Sequence, residues 1–110
     1  MAKARYIQKG DIIDYINGSG AAIAYNDVVP LVTRVGVAAE NIAVGATGSM
    51  RVTGVHEMPA VTTVAFAVGD QLYWDATAGK LTKTSTDNTP AGWCVETKAQ
   101  AGTLGVVKIG

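Results

Sequence analysis

Gly69-Asp70-Gln71-Leu72-Tyr73-Trp74-Asp75-Ala76-Thr77-Ala78-Gly79-Lys80-Leu81-Thr82-Lys83-Thr84 is the stretch on which the fold of this 110-residue chain turns. It opens on a Gly-Asp turn signal. Gln71–Asp75 then sets a leucine beside two aromatics, a composition suited to a pleated, half-buried strand. Ala76-Thr77-Ala78-Gly79 reads as a hairpin turn with glycine in the left-handed position, and Lys80–Thr84 returns alongside. Tyr73 and Trp74 are neighbours in that strand, so they point to opposite faces, one to the core and one outward.

Working outward, Ser49–His56 alternates cleanly and predicts another strand. So do Asp11–Ile16, Arg34–Ala38, Gly92–Glu96 and Leu104–Ile109. Val28–Val32 is also a strand, but Pro30 has no N–H to donate and places it at an edge or a bulge. Ala22–Tyr25 predicts a short strand and Ala4–Gln8 a short extended segment. Ala39–Ala43 has room for one helical turn, and Thr62–Ala67 fits either a strand or a short helix. Turn signals separate these pieces at Gly10-Asp11, Asn17-Gly18-Ser19-Gly20, Asn26-Asp27, Gly45–Gly48, Ser85–Pro90 and Gln100-Ala101-Gly102. About eight short strands at this spacing predict an all-β chain folded as a small single-domain β-barrel or β-sandwich, with one short helix allowed. Residues 1–9 form an N-terminal arm or a first strand, and 10–110 form the domain. Gly10-Asp11 and Gly69-Asp70 echo one another but fall short of a repeat.

Composition agrees. The chain has 14 Val, 7 Ile and 12 Thr against 4 Leu, and branched β-carbons favour sheet over helix. One domain is the limit for this length, since two cores would each bury too little surface. Only 16% of residues are charged, which argues against a disordered chain. Net charge is zero. A nucleic-acid binder carries a basic surplus for phosphate contacts, and the one local excess here is Lys3, Arg5 and Lys9. Cys94 is alone, which rules out an internal disulfide and fits a reducing compartment. Met1–Gly10 lacks the apolar run of a signal peptide, and no segment approaches the roughly 20 apolar residues of a membrane span. Synthesis in a cytosol, away from membranes, is the expectation.

Reactive chemistry is sparse. His56 and Cys94 are the single members of their kinds. They supply too few soft ligands for zinc. Asp70 and Asp75 close the two ends of one strand, about 16 Å apart, too far to share a calcium ion. Gly18-Ser19-Gly20-Ala21-Ala22-Ile23 breaks the dinucleotide pattern, Gly45-Ala46-Thr47-Gly48 has no following lysine, and Gly79-Lys80-Leu81 lacks the hydroxyl of a phosphate loop. Tyr6, Tyr15, Tyr25, Tyr73, Trp74 and Trp93 could stack bases only with interleaved cations, which are missing. Core or protein-interface packing is the better reading. No catalytic, cofactor-binding or metal-binding residue is assigned, and an enzyme is not expected.

Tyr6-Ile7-Gln8-Lys9-Gly10-Asp11 leading into Ile13 resembles the opening of the DUF2190 group of small phage and prophage proteins. Phe66-Ala67-Val68-Gly69-Asp70-Gln71-Leu72-Tyr73-Trp74-Asp75, followed by Ala78-Gly79-Lys80-Leu81-Thr82, is similar to that group's most distinctive stretch. A Gly92 strand and Val106-Val107-Lys108-Ile109 complete a likeness that covers almost the whole chain and is weakest from Asn17 to Asn41. The group has also carried a label as a RecA-type phage recombinase. Such an enzyme needs a phosphate loop and a much larger α/β domain, and this sequence has neither. The resemblance instead implies a capsid decoration, or cement, protein on the outer surface of a phage head, made in the host cytoplasm. Its implied partners are the major capsid protein and itself, as a homotrimer, with no nucleic acid and no membrane. Other virion β-domains of the tail or head–neck, and a DNA-associated recombination factor, are the alternatives.

Two sets of residues are candidates for those contacts. The arm Ala2, Lys3, Ala4, Arg5, Tyr6, Ile7 and Gln8 could add as a strand to a capsid subunit, unless it is the domain's own first strand. Trp74 and Trp93 are candidates for an interface between copies.

Overall fold

The β-branched and aromatic runs form nine strands: β1 (Ile12–Ile16), β2 (Val28–Leu31), β3 (Arg34–Ala38), β4 (Thr47–Arg51), β5 (Gly54–Pro59), β6 (Gln71–Asp75), β7 (Lys80–Thr82), β8 (Thr89–Glu96) and β9 (Leu104–Ile109). A computed structural model describes all residues, Met1–Gly110, and none lies in a helix. The strands make two antiparallel sheets, ordered β1-β4-β3-β2 and β5-β9-β8-β6-β7. The sheets pack as a sandwich. The shortest molecular axis is 22 Å, the depth of two layers about 10 Å apart with side chains on the outer faces.

The two sheets repeat one path. β1, β4, β3 and β2 occupy the places of β5, β9, β8 and β6, with β7 added at an edge. Each half carries a pair of four-residue turns: Ala24–Asp27 with Ala43–Ala46, and Ala67–Asp70 with Ala99–Gly102. In all four, the last residue's N–H donates to the first residue's carbonyl at 3.0 Å. Single bridges join each pair, Ile23 to Ile42 and Phe66 to Lys98. The counterpart of Gly69-Asp70 is therefore Asn26-Asp27, not Gly10-Asp11. Both aspartates bend back onto their turns, Asp27 accepting from the Ala24 N–H at 2.9 Å and Asp70 from the Ala67 N–H at 2.8 Å.

The Ala67 N–H, and after it the side chain of Lys83 at 3.2 Å, hold the Asp70 carboxyl below its ordinary value of 3.8. A depressed native value contributes stability above the unfolded carboxylate range and loses it as pH falls through the native value. Asp70→Asn is therefore expected to flatten the acid limb of a stability–pH curve below about pH 4. Superimposable limbs for parent and variant would remove Asp70 from the acid response.

Several local expectations change. Ser49–His56 is not one strand. It divides at Val52-Thr53 between β4 and β5, where the chain leaves one sheet for the other. Ala39–Ala43 and Thr62–Ala67 hold no helix, and Ala22–Tyr25 is only a bridge. Instead they deliver Ile23, Ile42 and Phe66 as plugs, each 7% exposed or less. Ala4–Gln8 forms no strand. Thr89 and Pro90 belong to β8 rather than to the preceding loop, and the strand returning from Gly79 stops at Thr82.

β3 is buried on both faces. Val35 and Val37 enter the larger core with Met58, Phe66, Leu72, Trp74, Leu81, Cys94, Val107 and Ile109. Ala38 enters a smaller core with Ile23, Val29, Ile42 and Met50. A continuous apolar run is what a strand between two layers requires. Each fully buried large side chain contributes about 1.5–3 kcal/mol. Asn17 is buried without loss. Its Nδ2 donates to the carbonyls of Ala21 at 2.8 Å and Ile42 at 3.0 Å, and its Oδ1 accepts from the Ser19 N–H and hydroxyl. β1, β2, β5 and β7 are the sheet edges, and Pro30 sits on one of them as its missing N–H demands.

Candidate interaction surfaces

Residues 1–10 are exposed throughout and form no strand. Tyr6 and Ile7 are 80% and 70% exposed. The Val52 N–H donates to the Asp11 carbonyl at 3.0 Å, at the point where the segment joins the body. Lys3, Arg5 and Lys9 leave six basic and nine acidic residues for the remainder of the chain. Charge is thus segregated: a basic, partly apolar arm on an acidic body.

The two tryptophans separate. Trp74 lies in the larger core at 7% exposure, facing inward with Leu72. It has little surface left to offer another chain. Tyr73, between them, points outward and is half-buried. Trp93 is 43% exposed on the outer face of β8. Register places it in a row that crosses four strands, Gln71 on β6, Trp93 on β8, Lys108 on β9 and Val55 on β5. The next row is Glu96, Val106 and Glu57, and beyond it lie Leu104 and Pro59. Val55, Leu104 and Trp93 leave apolar surface exposed on this face, among Gln71, Lys108, Glu96 and Glu57.

A shallow depression of about 180 Å³ adjoins Trp93 and is bordered by Gln71, Lys108, Thr33 and Arg34. A wider one, about 500 Å³, lies between the arm's root at Gly10-Asp11 and the β2–β3 hairpin at Leu31 and Arg34. Arm root, hairpin and Trp93 face therefore adjoin. The sequence reading missed the hairpin, because Val32-Thr33 carries none of the residues that mark a two-residue turn.

Reactive groups do not converge. His56, Val107 and Cys94 are register partners on adjacent strands, so His56 and Cys94 stand two strand spacings apart, about 10 Å, with Val107 between them. Cys94 is buried, and its thiol donates to the Glu96 carbonyl. No group of three His, Cys, Asp or Glu side chains is placed to share a metal.

A family model described as phage cement protein matches residues 7–109. Met1–Tyr6, most of the arm, precede the match. No curated protein and no solved structure matches the chain.

Proposed function

The chain belongs to the phage cement protein family, and from that premise we propose that it sits on the outer surface of an assembled head and bridges neighbouring major capsid protein subunits. The family match over nearly the whole length carries this reading. The surface supports it, with exposed apolar side chains on the arm and on the Trp93 face and a basic excess in the arm.

Packaged DNA strains a shell outward. A molecule that binds only the closed shell stabilises it by mass action. In this reading the protein acts as a homotrimer on three-fold or quasi-three-fold positions, so that three modest contacts combine through effective concentration. The Trp93 face supplies the contact between copies, and Trp74, buried in the larger core, holds together the sheet that carries it. The arm Ala2–Gln8 supplies a shell contact, with Lys3 and Arg5 meeting acidic groups and Tyr6 and Ile7 meeting apolar ones. The partner is protein rather than DNA, because the acidic surplus of residues 10–110 repels phosphate.

The test is co-sedimentation of the full chain, and of a chain lacking Ala2–Arg5, with expanded shells. The full chain is expected to pellet, and the deletion to bind about ten-fold more weakly. Undiminished binding removes the arm from the mechanism. Light scattering of the free protein reads the trimer, and a monomer under all conditions confines any trimer to the shell.

A further inference from the structure

Val32 occupies a place that glycine is suited to fill. Leu31 and Arg34 are register partners, which leaves Val32-Thr33 as a two-residue hairpin loop. The Thr33 N–H donates to the Leu31 carbonyl at 2.6 Å, so the chain reverses about Val32 alone. Val32 has φ 56° and Thr33 is not in the positive region. Positive φ at the first loop residue alone is the pattern that favours glycine there, and a β-branched residue in it is strained. The side chain gains nothing within the chain in exchange, being 95% exposed. Strain retained where the fold does not use it points to a contact outside the fold.

The surroundings say what kind. Arg34 follows immediately and is exposed, and its guanidinium has no carboxylate partner, since the ion pair of the molecule joins Lys83 and Asp70. Arg34 and the arm's root at Gly10-Asp11 border the same depression. The hairpin tip is therefore continuous with the surface from which the basic arm departs. An apolar knob, a free guanidinium and the root of a basic arm on adjoining surface complement a partner that offers an apolar pocket beside carboxylates.

We propose that the β2–β3 hairpin tip is a second shell-binding prong, with Val32 seated in an apolar pocket of a capsid subunit and Arg34 paired to a carboxylate at its rim. This rests on the cement reading and adds a site that the family match does not assign.

Val32→Gly separates the two roles of the residue. It relieves the backbone strain and deletes the knob. The full-length variant is expected to melt no lower than the parent, yet to bind expanded shells about ten-fold more weakly in co-sedimentation. Arg34→Gln is expected to weaken binding as well, and to lessen its dependence on salt. Val32→Asn, which also accepts positive φ, serves if the glycine variant folds poorly. A parent that fails to pellet overturns the cement reading, and this inference with it. A parent that pellets alongside Val32→Gly of equal affinity overturns the inference alone. Unchanged shell binding with an altered mass in light scattering would assign the tip to a contact between copies and overturn the shell assignment.

Discussion

Gly92→Ala is expected to destabilise the native fold by several kcal/mol. A β-carbon at Gly92 would stand 1.9 Å from the Lys108 carbonyl oxygen and 2.8 Å from its carbon. Both belong to backbone, so no side chain can turn aside. Gly92 also has φ 155°. Relief would require β8 and β9 to separate, and these strands lie at the centre of the larger sheet and carry Ala91, Cys94, Val107 and Ile109 into the core. The cost is about 4 kcal/mol or more, beyond the usual overpacking range because the obstacle is rigid. That corresponds to a fall of roughly 15 °C in melting temperature, measured by near-ultraviolet circular dichroism, or to recovery only in the insoluble fraction. Gly36→Ala is the control. Its nearest obstacles are side-chain atoms of Met50 at 2.7 and 2.9 Å, a flexible residue. A smaller loss is expected there. A Gly92→Ala protein that melts within a few degrees of the parent would show that β8 and β9 can part without unfolding.

Lys98→Met is the second large effect. Lys98 is 5% exposed, with no carboxylate partner, and it is the register partner of Phe66. Its ammonium donates to the carbonyls of Ala99 at 2.9 Å, Gln100 at 3.1 Å and Gly102 at 3.0 Å, which uses all three of its protons. It also lies 5.0 Å from the centre of the Phe66 ring. The lysine thus closes the Ala99–Gly102 turn from inside, where the other three turns rely on backbone geometry or an aspartate. Methionine keeps the apolar stem and deletes the charge. The Gln100 and Gly102 carbonyls then lose their donor and the Ala99 carbonyl keeps only the Gly102 N–H, at a cost of about 3 kcal/mol. In urea the midpoint is expected to fall by roughly 1–2 M with an unchanged slope. A loss under about 1 kcal/mol would mean that water replaces the ammonium at those carbonyls.

Both effects arise at positions whose importance the linear pattern conceals. Gly92 reads as one glycine among 13. Its consequence depends on how closely β9 passes, a distance fixed only when the sheet assembles. Lys98 reads as a surface cation, because nothing near it in sequence tells that Phe66 folds over it. The internal repeat was more accessible. Ile23-Ala24-Tyr25-Asn26-Asp27, Ile42-Ala43-Val44-Gly45-Ala46 and Phe66-Ala67-Val68-Gly69-Asp70 share an apolar residue, an alanine and a turn residue two places on. Searching for Gly-Asp alone paired the wrong members. The hairpin tip at Val32 escaped because its signal is a dihedral angle, and a valine between two strands gives no hint of the sign of φ.

Strand content was decided by residue type. Valine, isoleucine and threonine favour the pleated backbone. Gln71–Asp75 and Leu104–Ile109 need no distant partner to be read as strands, since each carries its own pattern. The partition of strands between two sheets, the break at Val52-Thr53, the inward turn of Trp74 and the outward turn of Trp93 belong to the tertiary structure. Alternation states that successive side chains face opposite ways, but which way is inward is set by the layer that covers the strand, and that layer comes from elsewhere in the chain.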